Sequence, residues 1–153
     1  MNERSELAIT LDDHQAAFTE VSFLLEIFAT TVSKLMGGAT ASVGRIAGRH
    51  FARKLPVTLV DPTLEQVVQA FADHVRKGTD IAFTRTASGV DLTITRCAMR
   101  NVCRSRHAEP GGDVCQLYHM FIDGVVNELY SRPAKSTITE VGDTCRACME
   151  VRE

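Results

Sequence analysis

The sequence predicts an α+β fold: N-terminal helices packed on a small antiparallel sheet, in a single domain. Three observations carry that expectation. Apolar residues recur at helical spacing through the first half of the chain; the period turns to strict alternation after Gly78; and strands and helices are segregated rather than alternating as βαβ units. At 153 residues the chain suffices for one ordinary core, and it has no internal repeat, low-complexity run or linker. Residues 1–12 are expected to be a flexible N-terminus ahead of one domain spanning 13–153.

The first helix is expected from Asp13 to Met36, with Val21, Leu25, Phe28, Val32 and Leu35 on one buried stripe and Gly37-Gly38 as its stop. A second helix runs from about Ala41 to Leu55, burying Val43, Ile46, Ala47, Phe51 and Leu55, and Pro56 ends it. Gly44 and Gly48 lie one turn apart on it, where either a helix or a ligand can approach the backbone. Asp61 and Pro62 read as the cap and first residue of a third helix, whose apolar face is Leu64, Val67, Val68, Phe71 and Val75. Asp80–Thr86 and Val90–Cys97 alternate as strands around an Ala87-Ser88-Gly89 hairpin. Residues 104–113 read as loop. Asp113 is expected to cap a fourth helix, Val114 to about Tyr130, and Ser136–Val151 to form one or two strands broken at Gly142-Asp143.

Composition excludes some classes of function. Hydrophobic residues make up 44% and charged residues 24%, near globular averages, and the formal net charge of −2 gives no footprint for nucleic acid. No uninterrupted apolar run approaches the roughly 20 residues of a membrane span, so no membrane partner is expected. The opening MNERSELAITLDDHQ is polar and acidic, unlike a signal or transit peptide, and a cytoplasmic location is the expectation.

In a reducing compartment grouped cysteines more often bind metal or do redox chemistry than form disulfides. All five cysteines, Cys97, Cys103, Cys115, Cys145 and Cys148, fall after residue 96, and an odd number cannot pair completely within one chain. Cys145-Arg-Ala-Cys148 has the spacing of a chelating pair. Cys97 ends a strand. Cys115 falls in the first turn of the fourth helix, where exposed amides favour a thiolate. The favoured four-ligand set is Cys97, Cys115, Cys145 and Cys148, with Cys103 as substitute for Cys97 and His119 and Glu140 in reserve. The ion is zinc or the group an iron–sulphur cluster, since spacing does not choose between them. Two other readings stand beside this one: buried cysteines packing as small hydrophobes, and a redox pair formed by Cys145 and Cys148.

Enzyme templates are thin. Gly37-Gly38 lacks the strand and lysine of a phosphate loop, and neither a His-Glu-x-x-His nor a nucleophile elbow is present. His14, His50, His74, His107 and His119 are scattered, and the arginines between Arg100 and Arg106 suit a solvated loop as well as an anion site. A non-enzymatic role is favoured.

The segment LTITRCAM…DVCQLYHMFIDGVVNELY…TEVGDTCRACMEV resembles the methanogen output domain, a group akin to 4-vinyl-reductase-type (hydrocarbon-binding) domains and to the effector halves of Suf-type iron–sulphur repressors. The common outline is a strand ending in Cys97, Cys115 opening a helix that contains Gly124, and Cys145 or Cys148 on the last strand. ASVGRIAGRHFARKL is similar to a helix lining the ligand pocket in that superfamily. The resemblance implies a sensory or ligand-binding domain, paired as a homodimer, with a cysteine-held zinc or iron–sulphur site and a pocket for a small hydrophobic ligand between helices one, two and four. By the same analogy, an enzyme or accessory protein acting on a hydrophobic or tetrapyrrole-like ligand is the alternative. The chain departs from the pattern in its longer Cys97–Cys115 connection and in whether Glu140 matches the late acidic ligand.

Overall fold

The computed structural model describes residues 9–152, and the expected flexible segment falls largely outside them, at 1–8. The α+β expectation holds: five helices and a four-stranded antiparallel sheet are formed by the described residues. Thr10 caps helix α1 (Leu11–Met36), its hydroxyl taking the Asp13 amide while the Asp13 carboxylate returns to the Thr10 amide. A single 3-10 turn, Gly37–Ala39, leads into α2 (Thr40–Ala52). Helix α3 (Leu64–Val75) starts later than Asp61-Pro62 implied. Thr63 and Gln66 form a reciprocal capping box there, which satisfies two amides where Asp61 would satisfy one.

Strands β1 (Asp80–Arg85) and β2 (Gly89–Arg96) form the expected hairpin. The largest departure follows: Ala98–Arg106 forms a helix (α4), which takes in part of the expected loop. Its arginines are good helix formers, and burial of Val102 and Cys103 with half-buried Met99 gives the short helix an inner face. Helix α5 (Asp113–Tyr130) is capped by Gly112 rather than Asp113, and the last stretch resolves into β3 (Ala134–Glu140) and β4 (Cys145–Val151). The sheet order is β1-β2-β4-β3.

One sheet face carries Val90, Leu92, Ala147 and Met149 into the main core, where they meet Leu64, Val67 and Phe71 of α3 and Ile122, Val125 and Val126 of α5, while Ile94 on the same face is buried against the thiol end. The other face is mostly polar and open, as an antiparallel sheet permits. Glycine settles how α2 meets α5. A Cβ on Gly48 would run into the Phe121 carbonyl, and one on Gly124 into the Arg45 carbonyl. The buried face of α2 is therefore Gly44, Gly48 and Ala52, whereas Ile46, expected inside, is 54% exposed.

The buried stripe expected on α1 is also corrected. Only Ser22 and Ala29 are fully buried; Val21 and Phe28 are each 62% exposed and Leu35 80%. The small residues let α1 lie close to α4 and α5, and the large ones are left outside. This is also the one helix among the described residues long and apolar enough to cross a membrane, by length and composition alone. Its apolar residues are interrupted too often to show as an unbroken run.

Candidate functional site

Four elements meet at one end of the sheet: the end of β2, the start of α4, the first turns of α5, and the β3–β4 turn. Cys97 is the N-cap residue of α4 and buried. Cys115 lies in the first turn of α5, half-buried, and Cys145 opens β4 on its core-facing side. These three thiols and His119 line a single, almost wholly apolar cavity of about 20 Å³. That is room for a water or one ion, far below what an organic substrate needs.

His119 follows Cys115 by one turn, so the two side chains share a face of α5. It is only 7% exposed, its Nδ1 is buried without a hydrogen-bond partner, and burial pulls its pKa down to about 4. A neutral imidazole with an unused nitrogen is chemically a ligand in waiting. Cys103 lies behind Cys115, fully buried, with 3.9 Å between the two sulphurs. Burial first, and then the neighbouring Cys115 and Cys97, push the Cys103 thiol up to about 12. Burial raises Cys97 as well, against the opposing pull of the Arg100 and Met99 amides. Both are thiols rather than thiolates at neutral pH unless a cation joins them.

Arg100, expected in a solvated loop, is 8% exposed and ties the site together. Its guanidinium donates to the carbonyls of Ile94 (3.2 Å), Thr95 (3.4 Å) and Asp143, and lies 3.9 Å from the Cys145 sulphur. Arg104 and Arg106 are also engaged, with Asp143 and with Glu26 of α1.

The Cys145–Cys148 pair does not converge. Both residues lie within β4, and an offset of three along a strand sends side chains to opposite faces. Cys148 stands on the open face in register with Asp91 and Thr137. Burial and the adjacent Asp91 carboxylate raise its pKa. Glu140 is exposed and paired with Arg146 at 3.3 Å, away from the cavity. Among the described residues no three His, Cys, Asp or Glu side chains are gathered closely enough to hold an ion in this conformation.

Beside the cavity, separated by Met99 and Tyr118, an apolar groove of about 270 Å³ lies between α1, α2 and α5, lined by Leu25, Val43, Ala47, Leu117 and Phe121. The sequence placed a ligand pocket between the helices that correspond to α1, α2 and α5, and this groove is the apolar concavity found there. Asp123, singled out by nothing in the sequence, is 1% exposed: it accepts from the Ser136 amide (2.9 Å) and hydroxyl (2.6 Å) and faces Arg45 at 3.7 Å. Its position next to Gly124 in a buried stretch of α5 was the available signal. No family model matches the chain, and no curated protein matches it.

Proposed function

We propose that this chain is a sensory domain whose responsive element is a soft-metal site made of Cys97, Cys115, Cys145 and His119. The observation that supports it most is that these four donors, of the types zinc favours, line one cavity of single-ion size. The orphaned Nδ1 of His119 is consistent with a ligand role. Binding requires the thiols to lose their protons and turn inward, which couples loading to the packing of α4 and α5. The likeness to methanogen output domains belongs to this proposal, as does the apolar groove as the seat of a small hydrophobic ligand. Elemental analysis and a visible spectrum of protein purified without oxygen test the metal. About one zinc per chain, lost in Cys115→Ser, is the expected result; iron with sulphide turns the site into a cluster, and metal-free protein overturns it.

A second reading rests on the 3.9 Å between the Cys103 and Cys115 sulphurs. A peroxide-class oxidant would take two electrons from the pair, releasing two protons and forming one disulfide. Mass spectrometry after mild peroxide treatment distinguishes this bond from the Cys145–Cys148 bond, which the strand geometry opposes.

The sensor is proposed to act as a homodimer through α1. Leu11, Phe18, Val21, Phe28 and Leu35, all exposed, follow heptad steps, as a helix–helix seam does. Asp12, Asp13 and Glu20 crowd the first half of α1 and Lys34 stands in its last turn, so an antiparallel pair sets opposite charges together. Glu26, held to Arg106 at mid-helix, opposes a membrane as the occupant. Light scattering should find a dimer that Phe28→Glu converts to a folded monomer. A monomeric wild type, or one that sediments with lipid vesicles instead, overturns the pairing.

A further inference from the structure

A polar site lies toward the C-terminal end of α5, away from the thiol cavity at the helix's first turns. A cleft of about 360 Å³ opens between α2, α5 and the outer end of β3 and β4. Its lining carries four cations, Arg45, Arg49, Lys135 and Arg152, against one carboxylate, Glu150, together with Asn127. Among the described residues, Arg49, Lys135 and Arg152 form no ion pair, and Arg45 reaches only Asp123, at 3.7 Å. Like charges gathered in this way repel one another, so the arrangement costs stability unless an anion shares it.

Arg45 and Arg49 are one turn apart on α2, so both guanidinium groups leave the same face. The Nε atoms of both are buried and lack acceptors. Both side chains are half-buried against the cleft wall, which limits their rotamer freedom and lowers the ordering cost of gripping a ligand. The backbone beneath is equally fixed, because Gly48 and Gly124 bring α2 and α5 into main-chain contact. Lys135 and Arg152 come from the neighbouring strand end, so the charges surround the cleft rather than lining one edge.

From this we infer that the cleft is a binding site for a small molecule bearing an oxyanion of the phosphate type. Paired arginine forks suit the planar and tetrahedral oxygens of such a group, and lysine adds a point charge. The volume, near the lower end of small-molecule sites, fits the anion with a modest organic remainder. The site is independent of the metal proposal, because none of its residues borders the thiol cavity.

Titration calorimetry of the full chain with inorganic phosphate, at ionic strength held constant with sodium chloride, tests it. Saturable binding at one site per chain is expected. Lys135→Gln with Arg152→Gln, two exposed positions outside the core, should weaken it at least about tenfold, since each loses a charge-assisted contact. Arg49→Gln should do the same. Metal content and unliganded melting temperature should stay unchanged in the Lys135/Arg152 variant, which separates lost binding from lost folding. Absence of saturable heat in the wild type, or equal affinity in the double variant, overturns the site.

Discussion

Two helical contacts of this molecule, one at α2–α5 and one at α1–α4, are built on opposite principles. At the α2–α5 junction glycines remove side chains altogether, and backbone lies on backbone beside a core that runs through Phe71, Ile122, Val125 and Met149. At the α1–α4 end a much smaller cluster holds the pieces together: Ala29, Val102, Cys103 and Val114 are its buried members, with Leu25, Met99 and Cys115 around them. The first contact has no slack. The second is thin and contains two of the thiols, and α1, with its exposed apolar seam, depends on it. Regions with few buried contacts open at lower free energy than the global core. A change at the thiols therefore has a short physical route to the proposed dimer face, through Cys103 and Val102 to Ala29.

The largest effect that would break this contrast is Gly48→Ala. The added methyl would strike the Phe121 carbonyl and come within 2.8 Å of the Val125 amide nitrogen, and neither is the end of a flexible side chain. A loss of at least about 3 kcal/mol is expected in chemical denaturation. A loss under about 1 kcal/mol, the usual range of an exposed helix position, would mean that α2 slides on α5 and that the junction is no more rigid than the other end.

Val102→Ala probes the thin contact. Removing two methyl groups from a buried position should cost about 1–2 kcal/mol, and more importantly the cost should be local. Hydrogen exchange should quicken in α1 and α4 while the amides of β2 and β4 keep their protection. Uniform loss of protection would show one cooperative unit and remove the route from thiols to α1. The ion pair between Arg106 and Glu26 (3.2 Å), with Arg106 also 4.6 Å over the Phe23 ring, is the other tie across this contact, and it remains in the variant.

The contrast also explains what was legible in the sequence. Alternation at Leu92 and Ile94 and the Ala87-Ser88-Gly89 turn located the hairpin, because burial of one sheet face leaves a period of two. Helix α3 was equally readable, since Val67, Val68 and Phe71 face the main core. Periodicity reports where apolar residues are, however, and not which of them find a partner within the chain. On α1 it picked the stripe of Val21, Phe28 and Leu35, whereas the small Ser22 and Ala29 make the intramolecular contact. On α2 the large residues likewise distracted from Gly44 and Gly48. The site was half legible. Clustering of the cysteines after residue 96 pointed to the end of the fold where Cys97, Cys115 and Cys145 line one cavity, and His119 was reachable as Cys115 plus one turn. Helix α4 was hidden by its arginines, because the burial of Arg100 depends on the carbonyls of Ile94, Thr95 and Asp143, which only the tertiary fold brings together.

Cys148 is where local spacing and topology conflict most directly, and it carries the smallest expected effect. As the second half of a C-x2-C motif it should be indispensable to a metal site. As a residue of β4 it faces away from Cys145, toward Asp91 on the open side of the sheet. If the proposed metal site is right, Cys148→Ser should leave metal content unchanged and stability within about 0.5 kcal/mol, as for a surface substitution, while Cys145→Ser should abolish metal binding. Paired metal analyses of the two variants decide the matter. Equal loss in both would mean that β4 rearranges on loading to bring its two thiols to one face, since a strand of regular pleat holds them apart.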